Sequence, residues 1–176
     1  MTINQSRWLM VVAAVVALAA GAWVARTMLF APSAAGQSAA ALIGVTLPDA
    51  DGKDQSLAQW SGKVLVVNFW ATWCAPCREE MPMFVRLQRE RGPNGLQFVG
   101  IAVDQADKVR QFAGEIGLNY PALIGGYGAM ELSKTLGNSL MALPFTVIVD
   151  RSGRVAHTQL GPLKEEQLSR IVGQLL

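Results

Sequence analysis

The sequence predicts an α/β fold with a mixed central sheet flanked by helices. Three observations predict it. Apolar, β-branched runs occur at Lys63–Trp70, Leu96–Val103 and Phe145–Val149. Helical periodicity separates them, and a turn at Asp150–Arg154 folds the chain back as a hairpin. Continuous apolar runs of this length suit strands buried on both faces.

Taken in order, the chain begins with Trp8–Val24, seventeen residues without a charge and with tryptophans near both ends. Spanning hydrocarbon takes about twenty residues, about seventeen at the lower limit, and tryptophan suits the interfaces. Arg7 and the chain amine precede the run, which places the N-terminus in the cytoplasm and the remainder outside the bacterial inner membrane, in the periplasm. Residues 1–30 therefore read as a cytoplasmic N-terminus plus a single-pass signal anchor. A signal peptide cut at Ala20-Gly21-Ala22 is the competing reading. Residues 31–41, rich in Ala, Ser, Gly and Pro, read as a flexible tether, and residues 42–176 as one domain long enough for its own core.

Within that domain, Pro48–Lys53 is turn chemistry between two short extended pieces, a β-hairpin. Lys63–Trp70 is the first long strand. Pro76–Arg91 follows as a helix with Met81, Phe84, Val85 and Leu87 at a 3.6 period, ended by Gly92-Pro93-Asn94-Gly95. Leu96–Val103 is a strand, Ala106–Gly117 a helix closing on glycine, Ala122–Ile124 a short strand and Gly128–Gly137 a short helix. Phe145–Val149 and Val155–Leu160 form the second hairpin. Lys164–Leu176 closes the domain as a helix with Leu168, Ile171, Val172 and Leu175 on one face.

Charge and cysteine count narrow the function. Only Arg7 and Arg26 lie before residue 41, so the domain carries thirteen charges of each sign and is near neutral. Such a domain lacks the field that holds a phosphate backbone, which argues against nucleic acid. The two cysteines are too few for an iron–sulfur cluster, and with His157 alone to join them they make no zinc ribbon. Arg78, not His, follows Cys77, so haem attachment is out. So short a loop staples no fold. Redox chemistry or soft-metal binding remains.

Cys74 falls where a buried strand ends and a helix begins. Free N–H groups and the positive helix end favour a thiolate there, and the thiolate is the nucleophile. Cys77, one turn on, is within reach as the resolving thiol. Pro76 suits the first helical turn. Glu80 stands three residues after Cys77, near it on the helix surface, where burial and a neighbouring thiolate would raise its pKa. As a surface-type position it predicts little stability change for Glu80→Gln. Glu79 reads as a solvated first-turn residue. Trp70 and Trp73 read as packing around the active site, His157 as an outward-facing surface residue, and Pro82 as a kink in the helix.

Val67-Asn68-Phe69-Trp70-Ala71-Thr72-Trp73-Cys74-Ala75-Pro76-Cys77-Arg78-Glu79-Glu80-Met81-Pro82 resembles the active-site segment of the thioredoxin superfamily. More narrowly it is similar to the membrane-anchored TlpA/ResA/CcmG branch. Ala142–Gly153 resembles that branch's cis-proline loop and following strand, so the similarity spans residues 42–176. The resemblance implies a thioredoxin-like fold with an N-terminal hairpin and an insertion between the second strand and the cis-proline strand. It implies Cys74 and Cys77 as the catalytic pair, Glu80 as a proton-transfer residue, and no cofactor or metal. It also implies a cis bond at Pro144. That bond would turn the backbone of Leu143 toward Cys74, where a substrate strand pairs beside Trp73. An ordinary trans proline opening an edge strand is the plain alternative.

Members of that branch are extracytoplasmic disulfide reductants, several acting on apocytochrome c or copper-site cysteines. The expected partners are thus protein disulfides and a membrane electron donor of the DsbD or CcdA type. Two positions depart from the pattern. Asn68 stands where thioredoxins proper carry an ionisable Asp, which shifts acid–base work toward Glu80 or water. Phe145 stands where the branch has Thr. Two other functions use the same thiols: a disulfide-forming oxidase and a Cu(I) metallochaperone.

Overall fold

The computed structural model describes the backbone of residues 3–29 and all of residues 39–176, with side chains described for residues 8–21 of the first segment. The chain divides into two units, Met1–Ser33 and Ala34–Leu176. In the first, Ile3–Leu29 forms one helix, α1, with large apolar side chains from Trp8 to Leu18 exposed. Among the described residues no helix is long and apolar enough to cross a membrane. The expected span Trp8–Val24 and the motif Ala20-Gly21-Ala22 both run past residue 21, so part of each lies outside the described side chains.

Residues 31–38 of the expected tether also lie outside the described residues. The domain itself takes up the rest. Ala39 is fully buried and its N–H donates to the Gly153 carbonyl at 2.9 Å, while the short helix α2, Ala40–Ile43, buries Leu42. An Ala-rich composition gives no hint of this, because alanine serves a tether and a tight contact equally well.

The hairpin pairs β1, Thr46–Pro48, with β2, Asp54–Ser56. Its turn is built on Asp49, whose carboxylate accepts from the N–H groups of Asp51 and Lys53 at 3.0 and 2.9 Å, and on Gly52 at φ 81°. Asp49 also bridges Leu123, so the hairpin shields an edge of the main sheet.

The main sheet has the order β5-β4-β3-β6-β7. β3 (Val64–Trp70), β4 (Leu96–Ala102) and β5 (Ala122–Ile124) run parallel; β6 (Phe145–Val149) runs antiparallel to β3, and β7 (Val155–Leu160) antiparallel to β6. β3, β4 and β6 are buried along their whole length, as continuous apolar runs require. One face, with Val66, Trp70, Phe98 and Ile148, packs under α3 (Ala75–Arg91), α4 (Ala106–Ile116) and α6 (Glu165–Leu175). The other face, with Val67, Phe69, Ile101 and Val147, packs against α2 and α5 (Gly126–Thr135). Each sheet face thus has a helix layer, and β3 lies at the centre. Its C-terminal end delivers the chain to Cys74.

α3 runs through Pro82 without a break, with the proline on its exposed side. One smaller expectation changes. His157 is half-buried, and its Nε2 is buried without a hydrogen-bond partner. The register explains it: His157 sits opposite Ile148 on β6, so it shares the sheet face that the α6 layer covers.

Candidate active site

After Trp70 the chain crosses from β3 to α3 through Ala71, Thr72 and Trp73. Asp104, just past β4, fixes the crossing: its carboxylate accepts from the Thr72 N–H at 2.9 Å and from the Thr72 hydroxyl at 2.5 Å. Cys74 is the N-cap of α3, in extended conformation, and its Sγ accepts from the Cys77 N–H at 3.3 Å. A sulfur so placed receives a free N–H and the helix dipole, both of which stabilise negative charge. Cys74 and Cys77 form a disulfide with Cα atoms 5.3 Å apart. Cys74 keeps 6% of its surface and Cys77 none, so an incoming thiol reaches Cys74 first.

Glu80 has the burial that its expected raised pKa requires, and this corrects its reading as a surface-type position. It does not lie on the helix surface; it is 5% exposed. α3 turns Cys77, Glu80, Met81 and Phe84 toward the sheet, and the chain leading into α6 closes over them. One carboxylate oxygen accepts from the Asn68 side-chain amide at 2.9 Å, the other from the Leu163 N–H at 2.9 Å. The Asn68 amide also donates to the Thr146 hydroxyl at 3.0 Å. Burial raises the Glu80 pKa to about 7, with the Leu163 and Asn68 donors opposing the rise. Nearby, the Tyr120 phenol is pushed well above its usual range, chiefly by burial and further by the Glu80 charge. Glu79, by contrast, is exposed. The position that the resemblance matches to an Asp of thioredoxins proper thus supplies a donor, Asn68, to the buried carboxylate one turn from Cys77.

The Leu143–Pro144 bond is cis. The segment before it faces Cys74 across an apolar groove of about 590 Å³. Trp73, Cys74 and Pro76 form one wall; Met130, Met141 and Leu143 stand on the other, and among the described residues no charged side chain lines it. Trp70 packs as expected and is fully buried, but Trp73 is 69% exposed and belongs to the groove. Phe145 does not line the groove; it is buried in the core layer that holds Phe69, tilted against that ring at 6.0 Å. Sequence reasoning passed over Asp104 and Asn138, whose bonds shape the two loops that meet here. Their only signal was residue type: Asp and Asn are the side chains that bond nearby backbone.

A disulfide at a helix N-terminus, a cis-proline loop facing it and a mixed sheet of this order define a thioredoxin-fold dithiol exchanger. The chain belongs to the Redoxin family, whose family model matches residues 31–175. Among its relatives, the thiol-disulfide oxidoreductase ResA of Bacillus thuringiensis is 31% identical over 128 residues, covering 72% of each chain. The thiol:disulfide interchange protein HelX of Rhodobacter capsulatus is 35% identical over 130 residues, covering 73% of this chain and 65% of HelX. A crystal structure of a thiol:disulfide interchange protein of the thioredoxin family from Chlorobium tepidum superposes with a TM-score of 0.68 at 32% identity, over 74% of this chain and 92% of that one. The activity is that of a protein thiol–disulfide oxidoreductase of the ResA type.

Proposed function

We propose that this protein is an extracytoplasmic reductant of protein disulfides. The Cys74 thiolate attacks one sulfur of a substrate disulfide, and the other substrate sulfur leaves as a thiolate that takes up a proton. Cys77 then loses its proton and attacks Cys74, releasing the second substrate thiol and leaving Cys74–Cys77 oxidised. Leu143, ahead of cis Pro144, offers its backbone to a substrate strand, and Trp73 forms the wall beside it. The observation that carries the direction is Glu80, buried one turn from Cys77. An ionised carboxylate there disfavours a second negative charge on Cys77, which favours the disulfide over the dithiolate and makes the pair more reducing. With a pKa of about 7 it can also take and return the Cys77 proton near neutral pH.

Equilibration with dithiothreitol tests the direction. The expected reduction potential lies near the thioredoxin end of the scale, about −270 mV, and a value above about −180 mV would make the protein an oxidase instead. Regeneration needs electrons from across the membrane, so a donor of the DsbD or CcdA type completes the cycle, with apocytochrome c or copper-site cysteines as substrates. The apolar run Trp8–Val24, with Arg7 on its inner side, supports an N-terminal inner-membrane anchor. A phosphatase joined after residue 40 is expected to be active and to fractionate with membranes. A soluble fusion whose chain starts near Trp23 would replace the anchor with a cleaved signal.

A second reading draws on Met130 and Met141, which line the same groove as Cys74. Thioether and thiolate together are soft ligands suited to Cu(I). In a Cu(I) competition with bicinchoninate, the reduced protein and its Met130→Leu variant are compared. Tight binding that weakens in the variant would favour the metallochaperone.

A further inference from the structure

We infer that Asn138 is a positioning residue that sets the far wall of the groove and thereby governs how tightly a substrate peptide is held. The inference rests on the substrate reading of the groove given above. Asn138 is 1% exposed and does not line the groove. Its side chain instead grips the segment that does. The amide donates to the Ala142 carbonyl at 2.9 Å while its oxygen accepts from the Ala142 N–H at 3.1 Å. This pair of bonds imitates a strand partner for Ala142, the residue two before cis Pro144. The backbone adds a third tie, from the Met141 N–H to the Asn138 carbonyl at 3.0 Å.

The grip is needed because the wall is strained. Met141 adopts φ 50°, a left-handed conformation that a long side chain avoids. Such a residue persists only when its surroundings over-determine it, and the bonds from Asn138 flank it on both sides. The same amide donates to the Ser133 hydroxyl at 3.1 Å, which in turn donates to the Met130 carbonyl at 2.8 Å. One buried chain of bonds thus connects α5, which carries Met130, to the segment Met141–Leu143. It reaches the Met130 carbonyl at one end and the backbone beside Met141 at the other. None of these groups touches the sulfurs, so the effect belongs to binding and not to thiol chemistry.

The test compares two substrates of the reduced protein that give the same coloured product. One is an acetylated Ala-Val-Cys-Leu-Ala peptide whose cysteine is joined to thionitrobenzoate; the other is the small disulfide of thionitrobenzoate itself. In each, the Cys74 thiolate displaces thionitrobenzoate thiolate, and Cys77 then resolves the mixed disulfide. With Asn138→Ala, the half-saturating peptide concentration is expected to rise about tenfold, the cost of leaving a bound segment unordered. The limiting rate and the reaction with the small disulfide should stay as in the parent. Ser133→Ala, which removes one acceptor and keeps the Ala142 pair, should give a smaller rise in the same direction. It carries the test if Asn138→Ala does not fold. Unchanged half-saturation in the folded variants, or an equal loss with both substrates, overturns the role of Asn138. Failure of the parent itself to saturate with peptide sinks the groove reading and this inference with it.

Discussion

With Cys77 changed to Ser, the reduced protein is expected to accumulate as a mixed disulfide between Cys74 and its substrate. Cys74 sits at the N-cap of α3, receives the Cys77 N–H on its sulfur and keeps some exposure, while Cys77 has none. The first attack therefore belongs to Cys74. Resolution is intramolecular, one helical turn away, where a held neighbour far outcompetes an external thiol. Serine at 77 keeps the shape and removes that step alone. Cys74→Ser removes the first step and should lower exchange by on the order of 10³-fold or more, the scale seen when a nucleophile is lost. Non-reducing electrophoresis and mass measurement of the trapped species check both variants, and iodoacetamide should label Cys74 before Cys77. Trapping by Cys74→Ser in place of Cys77→Ser would reverse the roles.

The strands of this domain were readable because burial on both faces leaves an unbroken apolar run, and β3, β4 and β6 fall within a residue of the expected bounds. The cysteine pair was readable because a strand, a short crossing and a helix fix where its sulfurs sit. Glu80 was half readable. Spacing places it on the same helix face as Cys77, but spacing cannot say whether that face meets solvent or the chain returning 83 residues later at Leu163. His157 was misread for the same reason: alternation along β7 gives two faces, and only α6 decides which one is covered. Asn138 was invisible because its importance comes from bonds to Ala142 and Ser133 that only the finished loop brings together. Tertiary closure, not local pattern, is the missing term in each case.

Glu80→Gln is expected to make the protein more stable above neutral pH while slowing its chemistry. Folded, Glu80 titrates near 7; unfolded, it returns to its ordinary 4.5. Between those values the folded chain keeps a proton that the unfolded chain has released. Stability from this group therefore falls as pH rises through the window, and is level below and above it. A gap of that size corresponds to a loss of up to about 3 kcal/mol. Glutamine carries no charge to bury, so the slope should vanish, leaving the variant more stable than the parent at about pH 8 and close to it at about pH 5. The hydrogen bonds can adapt. Glu80 faces two donors, and Asn68 Oδ1 has no partner. Turning the Asn68 amide over brings that oxygen to the new glutamine N–H and to the Thr146 hydroxyl, while the glutamine oxygen keeps the Leu163 N–H. Exchange, however, would lose the proton carrier proposed beside Cys77 and should slow by about a hundredfold, with the inflection near neutral pH removed. Glu79→Gln, on the exposed side of the same helix, is the control and should match the parent in both measurements. Denaturant titrations across pH and the pH profile of disulfide exchange read the two arms separately. A Glu80→Gln variant with the parent's stability slope and the parent's rate profile would reduce Glu80 to a packing residue.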